Sequence, residues 1–236
     1  MTADRLAQAV RRQLALGRVL PLGDAGDTLW VTESAATGVL RAAAARVPGV
    51  RLGRLRIGAA GPDQAAAPVP ESAPPGALAR LPLRIEGDLE ATPELPLPDS
   101  ALRLRDALWE AAEHGLGLQP AAVDLTVTGL LDAGAPEPPA QDGVSEPPAA
   151  STDDGTAPRS TTARAAAAAV PGVAGLTARL GGQAHPARVQ IAVDAGHRAR
   201  DVARAVATAV TALTGEVTTV VVTDIACGRG QPEART

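Results

Sequence analysis

RAAAARVPGV (41–50) and RAAAAAVPGV (164–173) are nearly one phrase written twice, nine of ten letters shared at an offset of 123 residues. The alanine run favours helix, and V-P-G-V ends it. Pro48 and Pro171 cannot continue a helix, and the glycine after each allows a sharp turn into a strand. Each copy then continues in the same order. Leu83, Ile85 and Leu89 alternate with Arg84, Glu86, Asp88 and Glu90; Val189, Ile191 and Val193 alternate with Arg188, Gln190 and Asp194. Such alternation predicts strands with one face buried and one solvated, in an antiparallel or edge-exposed sheet rather than a doubly buried parallel one. LRI (55–57) and LTARL (176–180) supply the hairpin partners.

A second helix follows in both copies. Pro98-Asp99-Ser100 marks a helix start before Ala101, Leu104, Leu108 and Ala111; Ala199, Val202, Val206, Ala209 and Leu213 keep one face in the other copy. Glycine ends each helix (Gly115 or Gly117; Gly215), and VDLTVTGLL (123–131) and VTTVVVTDIA (217–226) close the units. The expected fold is α+β: two tandem modules of helix-strand-strand-helix-strand, each a three-stranded sheet covered by two helices on one face. Upstream, residues 2–16 predict a helix with Leu6, Val10 and Leu14 on one face, and TLWVT (28–32) a short strand. The domain reading is an N-terminal helix and turn over 1–29, a first module over 30–131, a linker over 132–162, a second module over 163–227 and a tail over 228–236.

Two stretches, 58–80 and 132–162, are rich in Pro, Ala, Gly and acid and almost free of large apolar side chains. Their apolar surface is too small to offset ordering entropy, so both are expected to be loop or linker, 58–80 as a disordered insert in the first hairpin. The remainder is small for two independent domains, and the modules are expected to pack on each other as an intrachain pseudo-dimer.

Composition narrows function. The 236 residues hold no Phe and no Tyr, two Trp, one Cys, and 22 basic residues that are all Arg. Cores must be built from Val, Leu, Ile and Ala. Residues 1–60 carry nine Arg against four acids, 61–162 five against seventeen, and 163–236 eight against five. The basic parts fall short of a nucleic-acid footprint, the sheets lack aromatic platforms for bases, and no basic G-x-x-G loop lies between two helices; DNA and RNA binding are not expected. A single cysteine, Cys227, excludes an intrachain disulfide, and no apolar leader or span is visible, so a cytoplasmic protein is expected.

Reactive groups do not converge. His114, His185 and His197 share no metal-ligand spacing with each other or with Cys227, and a chain without lysine cannot form the lysine-bearing phosphate loop. Glu86, Asp88 and Glu90 make a stripe on a solvated strand face. No catalytic residue, metal or cofactor is assigned, and the chain is not expected to be an enzyme. The one candidate surface is Arg41, Arg51, Arg54 and Arg56, a possible contact for an anionic lipid or polymer.

The second copy, VPGVAGL followed by RVQIAVDAGHRARDVARAV, VATAVTALTG and EVTTVVVTDI, resembles the alkaline-shock (Gls-type) cell-envelope stress proteins of Gram-positive bacteria over residues 164–226. Residues 30–131 look like a divergent copy. The whole is similar to actinobacterial proteins labelled after a ten-kilodalton protein of nucleopolyhedroviruses. The resemblance implies a cytoplasmic scaffold without shared catalytic residues. It self-associates, works through protein partners and gathers at the membrane through a separate anchoring protein. This chain departs in its two copies, its acidic linker, its lack of lysine, and Ala195-Gly196-His197 where the family often has tyrosine.

Overall fold

The computed structural model describes residues 15–24, 26–61, 69–70, 72–131, 158–180 and 188–226. Along the chain run β1 (Val19–Leu22), β2 (Leu29–Thr32), α1 (Glu33–Ala44), β3 (Val50–Ala59), β4 (Leu83–Ala91) and α2 (Leu97–Glu110), which continues as a π turn over Ala111–Leu116. Then come β5 (Pro120–Leu130), α3 (Pro158–Ala168), β6 (Val173–Leu176), β7 (Arg188–Val193), α4 (Ala199–Thr214) and β8 (Thr219–Ile225). The fold is α+β, as expected, and its strands form two sheets.

The duplication is carried into the backbone. β3 and β6 begin at equivalent valines, Val50 and Val173, just after glycines with φ of +70° and +87°. L side chains avoid that left-handed region, so V-P-G-V has one use in both copies. β3–β4 and β6–β7 are antiparallel, and β4–β5 and β7–β8 are parallel. Even the junction bonds repeat. Thr92 N–H donates to Gly49 O at 2.9 Å, and Asp194 N–H to Gly172 O at 2.8 Å. Leu131 N–H reaches Ala91 O and Ala226 N–H reaches Val193 O, both at 2.9 Å.

The sheets themselves differ in size. Module one has the expected three strands, in the order β3-β4-β5, whereas module two has five, β1-β2-β8-β7-β6. The extra pair is the N-terminal hairpin. β2 lies parallel to β8, with Leu29, Trp30 and Val31 opposite Val220, Val221 and Val222. The TLWVT strand, placed by the sequence reading at the border of module one, thus belongs to the other half's sheet. β8 lies between parallel neighbours and is buried from Thr219 to Thr223, so the expectation of a one-sided sheet is corrected here. The uninterrupted Val220-Val221-Val222 run is what a strand covered on both faces requires.

One face of this sheet looks into a core shared by both halves, where Leu40, Ile57, Leu108, Leu116, Val206 and Val222 belong to one buried cluster. The other face is covered by residues that the composition reading assigned to a structureless insert. Ala73 and Ala77 pack against Leu16, Val19, Trp30, Leu180 and Val221. Val19 N–H donates to Gly76 O at 3.0 Å, and Leu78 N–H to Val19 O at 2.8 Å. Residues 58–59 belong to β3 and 72–80 to this cover; small side chains lie close to the sheet, and backbone bonds replace the missing apolar bulk. Residues 62–68 and 71 lie outside the described set.

Other boundaries shift as well. α3 begins at Pro158, inside the stretch read as linker, and the partner of β7 is 173–176 rather than 176–180. Of the helix expected over 2–16, only Ala15 and Leu16 are described; 132–157 and the tail from 227 are not.

The halves pack together without an even exchange of parts. α1 rests on both β3 and β8, while its counterpart α3 rests on α4 and β6. Ala163, Ala167, Ala199 and Ala203 are buried on α3 and α4, so small side chains bring these helices close. Between the halves, Arg198 Nε donates to Glu113 O at 3.1 Å, and a Cβ on Gly117 (φ +83°) would stand 2.5 Å from Arg200 Cβ. The modules do pack on each other, but α1 and the hairpin cross from one to the other in one direction only.

Leu40, fully buried on α1, belongs to both halves. Leu40→Ala is expected to cost about 2–5 kcal/mol and to shift one urea transition followed equally by tryptophan fluorescence and far-UV circular dichroism. Separate transitions would refute the shared core. Residues 158–236 alone lack β2, α1 and the 72–80 cover, and are expected to show no cooperative melt; a monomer as stable as the full chain would contradict this.

Candidate functional site

The outer face of the β3-β4-β5 sheet is the one broad sheet face left open among the described residues. β4 alternates strictly: Leu83, Ile85, Gly87, Leu89 and Ala91 are buried, and the residues between them face outward. β3 matches this through a bulge, since Leu52 lies opposite Leu89 and Leu55 opposite Gly87, leaving Gly53 and Arg54 across from Asp88. The extra residue keeps both leucines on the inner side.

Charges on the open face are interleaved. Arg51 forms an ion pair with Glu90, to which its Nε donates at 2.6 Å. Arg56 lies directly across from Glu86. Arg84 reaches Asp124 of β5 at 3.2 Å. All these side chains are substantially solvated, so each pair contributes little to stability and the face stays wet. Of the four arginines singled out as an anionic contact, Arg51 and Arg56 thus face carboxylates, Arg54 is exposed at the bulge, and Arg41 lies apart on the last turn of α1. The structure does not gather them into one patch, because the alternation that exposes the arginines of β3 also exposes the acids of β4 beside them.

Two charged clusters that sequence reasoning missed lie where the halves meet. At the first, Arg18 holds Glu33 by a two-pronged contact, Nε to Oε2 and Nη2 to Oε1, both at 3.1 Å. Arg18 Nη2 also donates to Ile57 O at 2.5 Å, and Arg18 N–H reaches Glu33 Oε2 at 3.3 Å. One residue earlier, Thr32 caps α1, its Oγ1 accepting from Ala35 N–H at 3.3 Å while donating to Thr223 O at 3.4 Å. Burial pushes the Glu33 carboxyl up, but the Arg18 hydrogen bonds, the Arg18 charge and the Ile57 N–H outweigh it and hold the group below its ordinary value.

At the second cluster, Arg200 reaches Asp24 at 2.5 Å, and Arg204 reaches Asp27 at 2.5 Å and Asp24 at 3.4 Å. Burial raises the Asp27 carboxyl, and the Asp24 N–H with the Arg204 hydrogen bond and the two guanidinium charges brings it below its ordinary value. Arg80 donates to Gly23 O and Asp27 O and stacks 5.5 Å above the Trp30 ring, fastening the 72–80 cover to the hairpin. Each contact pairs residues that lack any shared local motif, which is why the sequence carried no signal for them.

These clusters are architectural. A cleft of about 350 Å³ beside Gly17, Arg18, Val19 and Glu33 has its two ionisable groups bound to each other. A second, of about 230 Å³, lies between Gly23, Arg80, Leu83 and Gly117. His114 is exposed at the end of the π turn, and His197 stands beside Gly172 at the start of α4. His185 and Cys227 lie outside the described residues. Among the described residues no three His, Cys, Asp or Glu side chains gather as a metal cluster, and no helix is long and apolar enough to cross a membrane.

No family model, curated protein or solved structure matches this chain.

Because Glu33 and Asp27 have carboxyls lowered by folding, their stabilisation is complete above their unfolded values and lost as pH falls through the folded ones. The urea midpoint is expected to be level from neutrality down to about pH 5 and to fall below about pH 4. Glu33→Gln should cost about 1–2 kcal/mol at neutral pH and make the acid fall shallower. An unchanged acid profile would remove Glu33 from this account.

Proposed function

We propose that this chain is a non-catalytic interaction protein acting through the open sheet of its first module. The carrying observation is the unequal treatment of two equivalent sheets. In module two the far face is covered by residues 72–80, whereas the corresponding face of module one, with Arg56, Glu86 and Thr126, is uncovered by any described residue. A face of interleaved charge suits a polar, exchangeable protein contact rather than a permanent apolar one. The wider role is that of a cytoplasmic scaffold of the envelope-stress type, gathered at the membrane by an anchoring partner. That role is supported by the resemblance of residues 164–226 and by the duplicated architecture.

Direct binding of acidic lipid or RNA is the second reading. It draws on Arg41 and Arg54, since Arg51 and Arg56 stand beside acids. Its sign is binding to acidic vesicles or RNA that weakens steeply with salt.

Photo-reactive residues placed at Arg56 and Glu86 in the full chain, expressed in its native host, are expected to give discrete protein adducts. The same residue at the exposed Thr208 of α4 should give none. Equal adducts at all three positions, or none at 56 and 86, would overturn the proposal.

A further inference from the structure

The two copies differ most at the outer edge of the closing strand. β8 has a neighbour on each side, β7 and β2. Its counterpart β5 pairs with β4 alone, and no described strand lies along its other edge. The sheet's opposite edge, β3, is guarded by Arg51, Arg54, Arg56 and the bulge, devices that keep an edge from pairing. β5 has register shifts of its own against β4, at Ala121 and Thr128, and Arg105 donates to its Val123 O, but it carries little charge. Asp124 is its one charged residue, already engaged by Arg84, and the stretch from Leu125 to Leu130 is neutral. Val127 and Leu130 leave 43% and 63% of their surface exposed. A long edge rich in β-branched residues, with little charge and no interior proline, is a template for another strand.

We propose that β5 pairs antiparallel with β5 of a second copy of this chain, across a two-fold axis, to give one six-stranded sheet. This goes beyond the contact reading above, since it uses the edge of that sheet rather than its face. A two-fold contact needs an edge complementary to itself, and β5 provides one. With Thr126 on the axis, Leu125 lies across from Val127 and Val127 from Leu125, on the side facing the helices. Asp124 lies across from Thr128, so no carboxylate faces its copy. The pairing covers the exposed part of Val127 and uses the backbone groups that β8 uses toward β2. A strand from a different protein is the competing occupant, and the purified chain distinguishes it.

Sedimentation of the purified full chain from about 1 to about 300 µM is expected to show a reversible monomer–dimer equilibrium with Kd in the tens of micromolar, as a small strand-edge contact implies. Val127→Lys, at a half-exposed position, should weaken the dimer at least about tenfold without changing the thermal melt. Leu213→Lys, at a more exposed position on α4, should leave it unchanged. In a Cys227→Ser background, Thr126→Cys should form a disulfide-linked dimer on mild oxidation, since facing Cα atoms in an antiparallel pair lie about 4.5–5.5 Å apart. The proposal is overturned by a monomer throughout that range, by a dimer indifferent to Val127→Lys, or by failure of the cross-link. A monomer that still gives adducts at 56 and 86 in the host removes self-pairing and leaves the contact reading standing; a dimer without adducts does the reverse.

Discussion

The parallel pairing of β2 with β8 is the contact on which the rest is built. It joins residues about 190 positions apart: Thr28 Oγ1 donates to Thr218 O at 2.7 Å, and Val220 N–H to Thr28 O at 3.0 Å. Because β2 runs straight into α1, the pairing also sets that helix over β8, with Thr32 capping the helix and touching Thr223 at the same corner. Because β1 runs beside β2, it brings Arg18 to Glu33 and gives the 72–80 segment an edge to bind. Remove it, and α1, the cover and both charged clusters lose their frame.

That arrangement explains how a chain so poor in aromatics makes a core. Ala-rich helices bury little area each, but α1 is used by two sheets, and the central sheet is covered on both sides. Trp30, at 1% exposure, is the one large aromatic inside, and it lies where β2, the cover and Arg80 meet. Module one provides this cover, and no described residue covers its own outer face. Among the described residues, the covered sheet and the open one are two consequences of one donation.

Local pattern carried much of the fold. The repeated V-P-G-V placed two turns and two strand starts, because a positive-φ glycine after proline has few other uses. The alternation in β4 and β7 marked the inward residues, and the Gly117 and Gly215 stops fell at helix ends. The Val220-Val221-Val222 run was a legible sign of a doubly covered strand, outweighed by the alternation of its neighbour. What could not be read was long-range. Nothing in LWVT says that its partner lies beyond residue 200, and nothing in a Pro- and Ala-rich stretch separates a free loop from one strapped to a sheet by backbone bonds. For the site, the arginines were legible singly, but their carboxylate neighbours on β4 became visible only once the register between β3 and β4 was known.

The hairpin's distant partner has a consequence in time. During synthesis β1 and β2 leave the ribosome long before β8 exists, and at about 5–20 residues per second that interval is roughly ten to forty seconds. Throughout it an apolar pair of strands, Val19–Leu22 and Leu29–Thr32, has no sheet to join. The nascent chain must therefore be shielded or simply tolerate the delay, and its final tertiary state is reached only after the last strand emerges.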